Sequence, residues 1–198
     1  MKLYIIPGAC SLAVNIALRE AQIPFDLARL ELPTMRGDDG ADYRRVNPKG
    51  YVPALRLDDG EVLTETVAVL QYVADLNPGA GLAPAAGTMG RFRLMEWLSF
   101  INSELHKGFS PLFAAEATMA VKEFALNRLT KRLDYLQEVV REPYLLGERF
   151  TVADAYLFTI LGWGAEVGVG IARWPSLEQY RSRIARRPNV VAALRSEE

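Results

Sequence analysis

Lys2-Leu-Tyr-Ile-Ile6 is an apolar run that Pro7-Gly8 stops, which predicts a short buried strand. Leu12, Ile16, Ala17 and Leu18 then recur at helical spacing, and Ile23-Pro24 ends that helix. Phe25 to Leu32 alternates as a second strand. Strand, helix, strand leaves few outcomes, because such a crossover is right-handed and its two strands pair in parallel.

Beyond it, Pro33 to Gly40 reads as a polar loop, and a short helix ends at Asn47-Pro48. Val52-Pro-Ala-Leu-Arg-Leu57 and Glu61-Val-Leu-Thr64 flank Asp58-Asp59-Gly60, and Asp-Gly supplies the turn of a hairpin. Glu65 to Leu76 reads as a helix with Val69, Leu70 and Val73 inward. Asn77 to Gly87, rich in glycine and proline, is the best linker. After it only helices read clearly: Thr88 to Lys107, Ala120 to Arg141, Val152 to about Val167 and Ser176 to Arg186. Thr151-Val-Ala-Asp154 has the capping-box pattern, with Phe150 placed as its staple. The expected layout is an α/β domain over 1–80, a linker over 81–87 and an all-helical domain over 88–198.

A formal net charge of −1 and one cysteine narrow the classes further. No basic excess argues for nucleic acid or an anionic membrane. No window approaches the about 18–20 apolar residues of a membrane span. One thiol forms no internal disulfide, so a cytoplasmic protein is the expectation. One histidine and one cysteine supply no metal ligand set.

That thiol, Cys10, stands where the first strand turns into the first helix. Unpaired amides and the helix dipole favour an anion there by roughly 0.3–1 kcal/mol. Helix N-termini are accordingly a setting for reactive thiolates. Ser11 offers a hydroxyl that caps the helix or donates to a sulfur anion. Glu65-Thr66, at the start of a helix, offers a carboxylate, a hydroxyl and free amides to an amino-acid head group. A cis bond at Val52-Pro53 would turn the Val52 amide and carbonyl outward, toward an extended peptide. In the helical half, Ser99, Ser103 and His106 share a face at i, i+4, i+7 spacing.

In order and spacing, Pro7-Gly-Ala-Cys-Ser11, Asn47-Pro-Lys-Gly50 with Val52-Pro53, Leu63-Thr-Glu65, Glu104-Leu-His-Lys107 and Thr151-Val-Ala-Asp-Ala-Tyr-Leu157 resemble a glutathione S-transferase, most closely the bacterial beta class. The resemblance runs along essentially the whole chain. It implies a thioredoxin-like N-terminal domain, an all-α C-terminal domain, and a homodimer with the site in the cleft between domains. It places Cys10 against the glutathione sulfur, and pairs Val52, ahead of a cis-Pro53, with the tripeptide backbone. Glu65 and Thr66 would hold the γ-glutamyl end. Ser99, Ser103, Glu104 and His106 would approach from the helical domain. Phe109, Phe113 and Trp163 are candidates to line an apolar electrophile pocket.

Three positions depart from the family pattern. Met35 stands where relatives often carry a lysine that reaches the glycine carboxylate, and Arg36 is the neighbouring cation. Asn15 replaces a frequent histidine, and Ile5 the second of two tyrosines. Activation then falls to Cys10, Ser11, His106 and the helix end. A thiol of pKa about 8.5 is roughly 3% ionised at pH 7, and lowering it to about 6.5 multiplies the thiolate about 25-fold. The primary expectation is conjugation of glutathione to small, mostly apolar electrophiles. The alternatives are thiol–disulfide exchange or peroxidase chemistry through a Cys10 mixed disulfide, and a non-catalytic glutathione or ligand carrier.

Overall fold

β1 (Lys2–Ile5) and β2 (Asp26–Glu31) pair in parallel from Lys2↔Asp26 to Ile5↔Arg29, with α1 (Ser11–Glu20) as the crossover. This is a computed structural model, and it describes residues 1–37 and 40–198. β4 (Ala54–Arg56) lies antiparallel to β1, and β5 (Val62–Thr64) antiparallel to β4. A two-residue strand, β3 (Arg36–Gly37), adds to the edge beside β2, giving the order β3-β2-β1-β4-β5. That strand falls in the loop expected from Pro33 to Gly40, of which Asp38 and Asp39 lie outside the described residues. α2 (Thr66–Leu76) completes the α/β part, with Val69, Leu70 and Val73 wholly buried.

Every residue of α1 from Ser11 to Leu18 is buried. β1, α2 and the last helix, α8 (Pro188–Glu197), pack against it, which is why it is apolar around its whole circumference. Each buried Leu, Ile or Val there contributes about 1.5–3 kcal/mol. Ser11 and Asn15 are the buried polar residues of α1, and the Asn15 amide donates to Glu197 Oε1 at 3.0 Å and Ser196 Oγ at 3.1 Å. Asn15 therefore ties α1 to the terminal helix.

The chain separates into two compact units, Met1–Ala83 with Pro188–Glu198, and Pro84–Arg187. The 88–198 assignment needs correction at its end, because residues 188–198 belong with the α/β unit. Val190 and Ala193 are wholly buried on that helix. Pro188 separates it from α7 (Pro175–Ala185), and nothing in its sequence shows which unit it will cover.

The second unit holds α3 (Met89–Phe100), α4 (Lys107–Phe113), α5 (Met119–Val139), α6 (Val152–Gly162) and α7. Between α3 and α4 the backbone forms a π-helical turn, Ile101–His106, inside the span expected as one α-helix. α6 is the unit's axis, with Val152 through Leu161 all buried. Its start is held by Asp154, which accepts from Thr151 N and Oγ1 at 2.7 and 2.8 Å, Leu145 N at 2.8 Å and Tyr180 Oη at 2.7 Å. No helix among the described residues is long and apolar enough to cross a membrane.

Candidate functional site

The turn between β1 and α1 is built around Gly8. Ala9 N donates to Ile6 O at 3.0 Å, with Pro7 and Gly8 at the corners and Gly8 at φ +75°. That is the geometry of a turn needing glycine at its third position. Gly8 N donates to Glu197 Oε2 at 3.0 Å, so the terminal helix holds the turn from behind. Burial pushes the Glu197 carboxyl up, and the Asn15 and Gly8 hydrogen bonds oppose that shift.

Cys10 closes the turn as the N-cap residue of α1, whose end has no side-chain cap. Its Sγ donates to the carbonyl of Val52 at 3.2 Å, and Val52–Pro53 is cis. The Val52 carbonyl was expected to face an extended peptide; here one of its two lone pairs is on the thiol. Ser11 is the first helical residue, wholly buried, and its hydroxyl donates to Ile6 O at 3.3 Å. It does not cap α1, and the Ile6 carbonyl of the turn is its acceptor.

The loop before Val52 is set by Asn47. Its amide donates to Tyr51 O at 2.7 Å and its Oδ1 accepts from Lys49 N at 3.2 Å. Tyr43 Oη donates to the same carbonyl at 2.6 Å, and burial pushes the phenol up to about 12, so it stays a donor. Glu65 sits ahead of α2 at φ +72°, a region non-glycine residues rarely adopt, and it directs an exposed carboxylate to Lys49 Nζ. Thr66 follows, buried, at the first turn of α2, where amide groups lack partners within the helix.

Met35 faces the interior. It is 6% exposed and packs with Tyr4, Leu30, Tyr43 and Ala54, so a thioether suits its surroundings and a charge would not. Arg36 is exposed and donates to Gly40 O at 2.6 Å.

In the second unit the π turn spans Ile101–His106 and carries an extra residue per turn. Glu104 accepts from Arg132 Nε at 2.6 Å and lies 3.6 Å from Arg128, toward α5. His106 turns to α6, where Nδ1 lies 2.6 Å from Tyr156 Oη. Ser99 and Ser103 are exposed, and Ser103 Oγ donates to Ser99 O at 2.9 Å. Phe109, Phe113 and Trp163 do assemble: the Trp163 ring is edge-on to both phenylalanines at 5.9 and 5.7 Å and to His106 at 4.9 Å. Phe109 is buried core, whereas Phe113 is exposed. Burial, reinforced by the charge of Lys107, pushes the His106 imidazole down to about 4. At neutral pH it is uncharged and works through hydrogen bonds. Among the described residues no group of His, Cys, Asp and Glu is arranged to hold a metal ion.

Sequence reading missed three contributors: Lys49, Glu197, and the pair Tyr156 with Asn102. Lys49 lies inside Asn47-Pro-Lys-Gly50, which carries the family resemblance. The others act across separations of about 50 residues or more, for which local pattern carries no signal.

The fold and this arrangement define a glutathione S-transferase, and the chain belongs to that family. The N-terminal domain model of the family matches residues 8–76, and the C-terminal domain model matches residues 100–188. Within the family the chain groups with the bacterial beta class. It is 49% identical to BphK, a bacterial member solved as a ternary complex, at a TM-score of 0.97 over 100% of this chain and 99% of that one. It is 48% identical to the beta-class enzyme of Sphingomonas chungbukensis, at a TM-score of 0.96 over 100% of this chain and 98% of that one. It is also 44% identical to glutathione S-transferase GstA of Escherichia coli O157:H7, over 100% of this chain and 98% of the relative.

Proposed function

We propose that this protein conjugates glutathione, through its thiolate, to small and mostly apolar electrophiles. The observation that carries the reading is the 3.2 Å pairing of the Cys10 thiol with the Val52 carbonyl, at the N-terminus of a buried helix. That spot presents a sulfur, a backbone acceptor and helix-terminal amides together, the set needed to receive a thiol-bearing peptide. A sphingomonad relative, 47% identical over 100% of this chain and 98% of that one (TM-score 0.96), was solved in complex with glutathione.

In this reading Val52 pairs with the cysteinyl backbone once the thiol contact is exchanged. Thr66 and the first turn of α2 receive the γ-glutamyl carboxylate, and Glu65 receives its amine in competition with Lys49. Ser11 braces the turn that carries Cys10. Within the second unit, His106, Ser99, Ser103 and Glu104 are the polar candidates, and Phe113 with Trp163 offers an apolar surface for the electrophile. Met35 packs inward and supplies no charge, and Arg36 is the cation we assign to the glycine carboxylate. Exchange through a Cys10 mixed disulfide and a carrier role are not favoured, since the relatives are transferases.

We place the enzyme in the cytoplasm as a homodimer. Met89, Phe92 and Met95 expose an apolar stripe on α3 that a second copy would cover. Retention on immobilised glutathione with turnover of 1-chloro-2,4-dinitrobenzene is the test. Glu65→Gln is expected to lose retention, and retention of the native chain without turnover would overturn the reading.

A further inference from the structure

The carbonyl oxygen of Tyr51 has two lone pairs, and two buried side chains fill both. Tyr43 Oη donates to it at 2.6 Å and Asn47 Nδ2 at 2.7 Å, and each of these residues is 2% exposed. Burial pushes the Tyr43 phenol up to about 12, so it keeps its proton at neutral pH. Both donors are themselves anchored. Tyr43 begins the short turn Tyr43–Arg45, its ring lies 5.4 Å from that of Tyr4, and its amide donates to Met35 O at 3.0 Å. Asn47 N donates to Tyr43 O at 2.9 Å, and Asn47 Oδ1 accepts from Lys49 N at 3.2 Å. The Tyr51–Val52 peptide is trans, and in a trans peptide the C=O and N–H are coplanar and point opposite ways. Holding the Tyr51 oxygen on Tyr43 and Asn47 therefore turns the Val52 N–H away from them. Among the described residues that N–H has no acceptor.

We propose that Tyr43 and Asn47 are positioning residues that fix the Tyr51–Val52 peptide plane, so that the Val52 N–H is presented to a backbone carbonyl of the bound tripeptide. That the tripeptide is glutathione rests on the transferase reading above. An extended peptide recognised through its main chain needs a donor already facing it. A peptide plane free to rotate is ordered only when the ligand arrives, and that ordering weakens binding; a plane held in advance avoids the loss. Tyr43 and Asn47 act on the plane and have no assigned part in the chemical step. Their effect therefore falls on affinity for the peptide rather than on turnover.

Tyr43→Phe removes the hydroxyl and keeps the ring, and Asn47→Ala removes the second donor. The probe is S-methylglutathione, which has the backbone of glutathione and no free thiol. Its binding to the native chain is expected to move the Val52 amide proton downfield in the ¹H–¹⁵N spectrum. Each variant is expected to weaken its Kd, and to raise KM for glutathione, about fivefold, with kcat for 1-chloro-2,4-dinitrobenzene within about twofold. The split between KM and kcat separates positioning from general damage to the fold, and Tyr43→Phe decides alone where Asn47→Ala does not fold. Unchanged Kd and KM in every variant that folds would overturn the proposal. So would a Val52 amide proton that stays in place when the probe binds the native chain, or a fall in kcat at constant KM. A native chain that binds neither S-methylglutathione nor glutathione would defeat the transferase reading, and the proposal with it.

Discussion

Each unit is threaded by one helix buried all round, yet the two use theirs in different ways. α1 offers its N-terminus, and the groups gathered there are largely backbone: the Gly8 amide, the Ile6 and Val52 carbonyls and the first-turn amides. α6 offers a side chain from its middle, Tyr156, which orders His106 and Asn102 on a neighbouring turn. A site made of backbone depends on turn geometry and survives changes of side chain. A site made of side chains depends on which residue stands at each position.

The contrast breaks most visibly at Asp154. Its carboxylate takes four hydrogen bonds at the start of α6, and burial raises its pKa. Asp154→Ala is expected to cost about 3–5 kcal/mol in denaturant unfolding, because several buried donors lose their acceptor. A cost under about 1 kcal/mol would show that the side-chain-built unit does not depend on that residue.

Glu197 is the corresponding support of the backbone-built site. Glu197→Ala removes the side-chain acceptor of Gly8 N and one of the acceptors of the Asn15 amide, for an expected loss of about 2 kcal/mol. Hydrogen exchange at the Gly8 amide is expected to speed up in step. Unchanged exchange would mean that the turn holds itself and the terminal helix adds only packing.

The smallest expected effect is the titration of His106. Its folded pKa of about 4 lies below its unfolded value near 6.5, so the unfolded chain binds more protons between these limits. The contribution is whole above pH 6.5 and is lost as pH falls toward 4, about 1–2 kcal/mol after allowing for partial exposure. Glu197, with its raised pKa, works in the opposite sense at the acid end of the range. The measurement is therefore the difference in stability between the native chain and His106→Phe across pH 4–7. A flat difference would mean that the imidazole is not desolvated.

Local pattern reached far in the first unit. The parallel crossover, the Asp-Gly hairpin and the inward face of α2 follow from apolar spacing and turn residues, which act within a few positions. The same reasoning assigned the Thr151–Asp154 cap of α6 correctly. It missed the π turn at Ile101–His106, inside the span expected as one α-helix, because local propensity does not announce such a turn. It carried no signal for the packing of Met35, which is buried among Tyr4, Leu30, Tyr43 and Ala54.

The sequence by itself determined the class of fold, the place of the thiol and the caps and turns, because each depends on neighbours a few residues away. Only the tertiary structure decided that α8 returns to cover α1, that Ser11 serves a carbonyl and that Asn15 serves a terminal glutamate. It alone decided that Tyr156 orders a histidine fifty residues distant. Those outcomes depend on which buried polar groups find partners across the core, and such pairings are settled only when the whole chain has packed.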